Sequence, residues 1–309
     1  MDQYCPLCHE TRSSVLYSDL PFYSGATIVI CSHCTHVYTV LYHLPETNKL
    51  YDDEVYKIVE TRNSIFDKIL NREYKRVIKR LNSLQSAKGS LLDFGSGKGK
   101  FASLAKKNGW DVKCVETSLP RAEYAMKNYG LDVNTNYYTT GKIFETCFSA
   151  LTIFHVAEHL PDPKPLLFEL IKNNLNENAI VIIEVPNIKS WQSKLSGKKW
   201  MHLDVPRHIS HFSPKRLEQF ATEIGLINAK TTYFSFHLGV LGMTDSFLKF
   251  FGYRKNIIYE LKNKKSKLLI LAVLILLPFS LLAESIAALL NRGGIVRKYF
   301  IYKSATRSR

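Results

Sequence analysis

Between residues 90 and 236 short apolar runs alternate with stretches of helical periodicity. The runs are SLLDFG from Ser90, DVKCVET from Asp111, LDVNT from Leu131, FSALTIFHV from Phe148, AIVIIEVPN from Ala179 and INAKTTYFSF from Ile227. Helical stretches cover 100–108, 120–128, 163–175 and 214–223, and Gly109, Gly130 and Gly225 close three of them. Parallel strands need a helix-length crossover, and the helices then cover both faces of the sheet. The alternation therefore predicts an α/β fold with a parallel sheet between two helical layers.

The first strand runs into Asp93-Phe94-Gly95-Ser96-Gly97-Lys98-Gly99. Glycines there let the backbone turn tightly and approach a ligand, and the helix N-terminus that follows favours an anionic group. The spacing is G-x-G-x-G. It meets neither the G-x-G-x-x-G dinucleotide fingerprint nor the Walker A loop. Glu116 ends the second strand, 17 residues past Gly99, where an acidic side chain accepts hydrogen bonds from a ribose.

With LLDFGSGKGKFA, CVETS and FSALTIFHVAEHLPDP in place, the chain resembles the class I S-adenosylmethionine-dependent methyltransferases, in particular a bacterial subgroup with N-terminal zinc-ribbon-like cysteine pairs. The resemblance covers roughly 88–236. It implies a Rossmann-like, seven-stranded sheet whose last strand inserts antiparallel beside the fifth. It also implies a site in which Asp93, Gly95, Ser96 and Gly97 line the methionine end of the cofactor, Glu116 the ribose, and His155 and Val156 the sulfonium. Relatives usually carry Asp after the Phe that opens the fourth strand. Here Ser149 follows Phe148, and a helix-facing structural role is expected for it.

Methyl transfer is an in-line displacement that depends on alignment, and an oxygen or nitrogen acceptor also calls for a base. The stretch 202–212, rich in histidine, follows the fifth strand and is the expected acceptor-side loop. His208 or His211 is the candidate base, with His155 a further catalytic candidate, and Arg207 is placed to hold an anionic group. Each of these has a packing role as its alternative. His155, Glu158 and His159 also resemble, incompletely, the cation-binding residues of metal-assisted methyltransferases.

Cys5-x-x-Cys8 and Cys31-x-x-Cys34 have the spacing of a tetrahedral zinc site. The N-terminus shows no secretory signal, so reduced cysteines and a cytoplasmic location are expected. Glycine usually follows the second cysteine of such a knuckle, but His9 and Thr35 stand there. Thr is a poor residue at positive φ, so the second knuckle is expected to be distorted.

Residues 268–290 are apolar and long enough to span a bilayer, at about 34 Å as one helix. Residues 295–303, IVRKYFIYK, read as the final strand of the sheet, which makes 237–294 an insertion between two neighbouring strands. A single crossing would part that strand from its sheet. Pro278 interrupts the run and Glu284 is costly at a bilayer centre. Two short helices, 268–277 and 279–290, lying in a membrane interface are therefore expected, with core packing as the alternative. From Ser246 onward there are 13 Lys or Arg against 2 Asp or Glu, a charge suited to an anionic lipid surface. The organisation reads as a ribbon over 1–42, a helical connector over 43–87, the cofactor-binding domain over 88–236, the insertion over 237–294, and the final strand and tail over 295–309.

The expected activity is methyl transfer from S-adenosylmethionine, with zinc in the ribbon. The acceptor would be a small molecule, sugar or lipid-linked glycan, and the enzyme would sit peripherally at the inner face of a membrane. The alternatives are an RNA methyltransferase, disfavoured because the charge surrounds an apolar segment, and a non-catalytic cofactor-binding scaffold.

Overall fold

The structure, a computed structural model, describes residues 4–43, 65–85, 88–255, 257, 260–261 and 266–303. Residues 44–64 and 86–87 of the expected helical connector and the lysines at 262, 264 and 265 lie outside them. The chain divides into two compact units. One comprises 61–185, 217–231 and 297–309; the other comprises 1–60, 186–216 and 232–296. Residues 186–216 thus group with the N-terminal cysteine pairs, where a contiguous unit over 88–236 was expected.

The first unit is built on a seven-stranded sheet. Its strands are β4 (Ser90–Phe94), β5 (Asp111–Val115), β6 (Asp132–Asn134), β7 (Phe148–Phe154), β8 (Leu175–Pro186), β10 (Leu226–Thr232) and β11 (Ile295–Tyr302). Their order is β10-β11-β8-β7-β4-β5-β6. Strands β4 to β8 pair in parallel. The Asn187 N–H donates to the Gly294 carbonyl at 2.9 Å, and the Lys303 N–H donates to the Gly225 carbonyl at 3.2 Å. The start of β11 therefore meets the end of β8, and its end meets the start of β10, so β11 runs antiparallel between them, as expected.

The helices are α1 (Ile65–Leu84), α2 (Lys100–Lys107), α3 (Leu119–Tyr129), α4 (Pro163–Asn174) and α6 (Pro214–Glu223). Helices α1 and α2 place Val77, Ile78, Leu81, Phe101 and Ala105 against Leu91, Val112, Ala150 and Ile182 of the sheet. Burial of this apolar surface is the main stabilising term, worth about 1.5–3 kcal/mol per large aliphatic side chain. Ser149 donates to the Ser90 carbonyl at 3.0 Å. It joins the start of β7 to the start of β4, so its role is structural, but its hydroxyl serves a neighbouring strand where a helix-facing role was expected.

The second unit holds a small sheet of β1 (Ser13–Tyr17), β2 (Ala26–Cys31), β3 (Val37–Leu41) and β9 (Ser210–His211), in that order. Ile28 and Val37 pack on Ile188, Trp200 and Leu203. The short α5 (Trp191–Ser196) is capped by Ser190, whose hydroxyl accepts from the Ser193 N–H.

The insertion departs from expectation. After a π turn at Phe236–Val240 come α7 (Leu241–Phe250) and α8 (Lys267–Leu289), the latter a single continuous helix. It runs through Pro278 rather than breaking there. Leu269, Ala272, Val273 and Leu276 pack with Leu241 and Leu248 of α7. Glu284 is fully buried, which accounts for a charge in so apolar a segment. It accepts the Gly294 N–H and the Gln192 side-chain amide, each at 2.7 Å. Burial pushes its carboxyl up to about 7 against the pull of these two donors. A Cβ at Gly239 would lie 2.6 Å from Glu284 Oε1, so only glycine permits this approach.

Candidate active site

The loop after β4 is held by its own strands. The N–H groups of Gly95 and Ser96 both donate to the Val115 carbonyl, at 2.8 and 3.0 Å. Gly95, Gly97 and Gly99 all have positive φ. Two are also sterically required: a Cβ on Gly95 would meet Val156 Cγ2 at 2.3 Å, and one on Gly99 would meet Leu131 Cδ1 at 2.5 Å. At Gly97 nothing lies within 4 Å of that position, so its missing side chain leaves open space for a ligand.

Glu116 sits at the end of β5, buried, and is oriented by the loop. Its Oε2 accepts the Gly97 N–H and its Oε1 accepts the Ser118 N–H, both at 2.8 Å. Each oxygen keeps a further lone pair, the pattern needed to receive two vicinal ribose hydroxyls. Asp93 is 2% exposed and accepts the Thr152 hydroxyl at 2.6 Å from the neighbouring strand. Burial raises its carboxyl to about 7, reinforced by the charge of Glu116 and opposed by the Thr152 hydrogen bond. Thus Asp93, Gly95, Ser96, Gly97, Glu116 and Val156 all gather at the carboxyl ends of β4, β5 and β7.

His155, just past β7, has φ 55°, a conformation that costs energy without glycine. It points the ring between two carboxylates: Nε2 meets Glu184 Oε1 at 2.9 Å and Nδ1 meets Glu158 Oε1 at 3.2 Å. Burial opposes the ring's charge, but the two carboxylates outweigh it and lift the imidazole to about 10. Glu184 in turn contacts the Arg297 guanidinium, which donates to Glu73 at 3.0 Å. His155 is therefore a doubly bonded imidazolium at neutral pH, and its commitment to two carboxylates favours the packing alternative to its expected catalytic role. Sequence reasoning missed Glu73, Glu184 and Arg297. The signal was present: Glu184 and Arg297 interrupt apolar strands covered on both faces, where a charge requires a partner.

The expected acceptor-side residues occupy the second unit. His211 lies in β9, opposite Val37 of β3, and is 4% exposed. The Thr39 hydroxyl donates to the His208 carbonyl at 2.6 Å and accepts from His211 Nε2 at 2.9 Å. His211 thus serves the ribbon sheet, a correction to its reading as a base. Arg207 makes a two-pronged ion pair with Asp204 of its own turn, through Nε at 3.0 Å and through Nη2. That commitment argues against its role as an anion clamp. His208 Nδ1 donates to the His202 carbonyl at 2.8 Å, and Nε2 lies 3.7 Å from Asp204 Oδ2. The carbonyl fixes the orientation of the ring and turns Nε2 toward Asp204.

Cys5, Cys8, Cys31 and Cys34 come together, all four Sγ atoms within 4.8 Å of one another. Cys5–Cys34 and Cys8–Cys31 are 3.6 and 3.5 Å apart. Four thiolates at about 2.3 Å from one zinc ion stand roughly 3.8 Å apart, so the cluster fits the metal. The two knuckles match: the His9 N–H donates to the Cys5 carbonyl at 2.9 Å and the Thr35 N–H to the Cys31 carbonyl at 3.1 Å. His9 and Thr35 share φ 58°. The distortion expected at Thr35 is absent.

Residues 66–231 match the model of a family described as a methyltransferase domain. The chain belongs to this family. Its sheet order and glycine loop are those of the class I S-adenosylmethionine-dependent methyltransferases. Among solved structures, the plantazolicin methyltransferase BpumL in complex with S-adenosylhomocysteine is 14% identical, with a TM-score of 0.51 over 83% of this chain and 93% of that one. A SAM-dependent methyltransferase from Archaeoglobus fulgidus is 17% identical, with a TM-score of 0.48 over 76% of this chain and 94% of that one. No curated protein matches the sequence.

Proposed function

We propose that this methyltransferase transfers a methyl group from S-adenosylmethionine to a sugar, lipid-linked glycan or other small molecule, as a peripheral enzyme at the cytoplasmic face of a membrane. The observation that carries the cofactor assignment is Glu116, whose carboxylate is aligned by the Gly97 and Ser118 amides. In this reading Glu116 takes the ribose hydroxyls. Asp93 faces the methionine ammonium through Gly95 and Gly97, and Val156 walls the sulfonium. His155, fixed as a cation by Glu158 and Glu184, is a positioning residue that shapes the end of β7. His208 is kept as the candidate base, because its ring is oriented by the His202 carbonyl and is not taken up by the ribbon sheet as His211 is. The apolar character of the insertion favours a lipid-borne acceptor over RNA.

The test is incubation with radiolabelled cofactor and fractionated cell extract. Label entering the lipid or glycan fraction supports the reading; label in RNA or protein overturns the acceptor class. Glu116→Ala should weaken cofactor binding by roughly tenfold to hundredfold, the worth of charge-assisted hydrogen bonds, with the thermal melt of the unliganded protein little changed.

The ribbon is read as a structural zinc site that lends stability to its unit. Two non-glycine residues at positive φ persist only where their surroundings over-determine them, and four thiolates on one ion supply that constraint. The purified chain should carry one zinc per molecule by elemental analysis. Cys5→Ser should lose it and lower the melting temperature. A metal-free chain with an unchanged melt would exclude a metal role for the ribbon.

A further inference from the structure

The outward side of α8 is an exposed apolar surface that the site does not use. Leu268, Leu271, Ile275, Phe279, Leu282, Ile286 and Leu289 recur at steps of three and four residues and so form one stripe. Each is at least 41% exposed, and Leu268 and Leu289 at the two ends reach 78% and 83%. Glu284 is the only charged residue between Lys267 and Arg292, and it faces inward. Such a stripe, about 32 Å long, exceeds what soluble proteins leave in water without a partner.

We infer that α8 is an in-plane anchor whose outer stripe lies in the headgroup–acyl boundary of an anionic lipid leaflet, without crossing it. This rests on the peripheral membrane location proposed above and specifies its mode.

Three observations exclude a crossing. The helix is attached to its own unit along both halves: Leu269, Ala272, Val273 and Leu276 lie on α7, and Glu284 holds the C-terminal half to Gln192 and Gly294. A spanning helix would have to expose Glu284 and strip both attachments. Only five residues separate Leu289 from β11, which is locked between β8 and β10. Finally, cations mark both ends: exposed Lys267 precedes the helix core, exposed Arg292 follows it, and α7 ends in exposed Phe250 and Phe251 ahead of exposed Arg254 and Lys255. A crossing helix carries its cations mainly on one side, whereas an interfacial helix meets lipid phosphates along its length.

The same charge decides between lipid and a second copy of the chain. Among the described residues of 246–294 the exposed charges are Arg254, Lys255, Lys267 and Arg292, all cationic, while Glu260 and Glu284 are buried. Two such segments face to face repel, while an anionic leaflet attracts each of them.

The full chain should float with phosphatidylcholine vesicles that contain phosphatidylglycerol, bind pure phosphatidylcholine more weakly, and lose that difference at high salt. Leu271→Asp and Leu282→Asp, which touch neither attachment, should each weaken binding roughly tenfold or more. S-adenosylhomocysteine binding measured on the same samples reports a preserved fold. It also separates failure of the anchor from failure of the methyltransferase reading. Tryptophans introduced at Leu271, Ile275, Leu282 and Leu289 should all be quenched by lipids brominated near the headgroup. Deep quenching confined to Ile275 and Leu282 would show a crossing and overturn the inference. So would folded protein that ignores both vesicle types, or dimers seen by light scattering that dissociate on Leu271→Asp.

Discussion

Arg297→Leu is expected to destabilise the sheet unit by about 3–5 kcal/mol, the usual cost of removing one partner from a buried ion pair. Arg297 is the cation between two buried carboxylates, Glu184 on β8 and Glu73 on α1. Burial alone would raise the Glu184 carboxyl, but Arg297 and His155 hold it below its ordinary value. Its ion pair therefore stabilises the fold above the ordinary carboxylate pKa, and the benefit is lost as pH falls through the lowered native value. Without Arg297 burial dominates, the carboxyl rises, and the deficit is largest at neutral pH and shrinks toward pH 5. His155 acts in the opposite sense. Its native value of about 10 lies above the unfolded 6.5, so its contribution is complete below 6.5 and lost as pH rises toward 10. Urea melts of wild type and Arg297→Leu at pH 5, 7 and 9 check both signs. Equal deficits at pH 5 and 7 would show that Arg297 acts through packing alone. The triple change Glu73→Gln, Glu184→Gln, Arg297→Met should recover much of the loss, because no charge is left stranded.

The sheet was legible because each strand is a bounded apolar run and two of the crossover helices end on a glycine, Gly109 or Gly130, which the structure holds at positive φ. The glycine loop and Glu116 were legible for a related reason: a tight turn, a close approach and an acid at a strand end are local signals. What sequence could not supply were pairings between distant segments. Thr39 and His211 lie 172 residues apart, and Arg297 and Glu73 lie 224 apart. The histidines of 202–212 were read as chemistry because their packing partners, such as Thr39 on the ribbon sheet, are invisible in local sequence. Pro278 misled in the same way. Proline removes one helical hydrogen bond, but α7 fixes the first half of α8 and the Glu284 contacts fix the second. Tertiary contacts therefore carry the helix through the break. Thr35 shows the converse: the turn closed by its N–H on the Cys31 carbonyl holds it at φ 58°, a conformation its β-branched side chain disfavours.

Asp93→Asn is expected to weaken S-adenosylmethionine binding by about tenfold to hundredfold while making the unliganded protein more stable. Native Asp93 has its carboxyl raised to about 7, chiefly by burial, from an ordinary 3.8. A group that holds its proton more tightly when folded makes stability fall as pH rises between those values. At neutral pH the charge therefore costs the unliganded fold up to about 4 kcal/mol, taking about 1.4 kcal/mol for each pH unit. Asparagine has the same shape and keeps an oxygen for the Thr152 hydroxyl, so the variant should melt higher at pH 7.5 and lose that advantage toward pH 4. A charge that costs the fold energy and is still present at the mouth of the glycine loop is explained by a ligand that compensates it, and the methionine ammonium is such a ligand. Cofactor affinity of the wild type should decline from pH 8 to pH 6 as Asp93 takes up its proton. The asparagine variant gives the baseline for titration of the ligand itself. Binding by the variant that equals wild type across this range would remove Asp93 from the site and leave its buried charge as a purely structural cost.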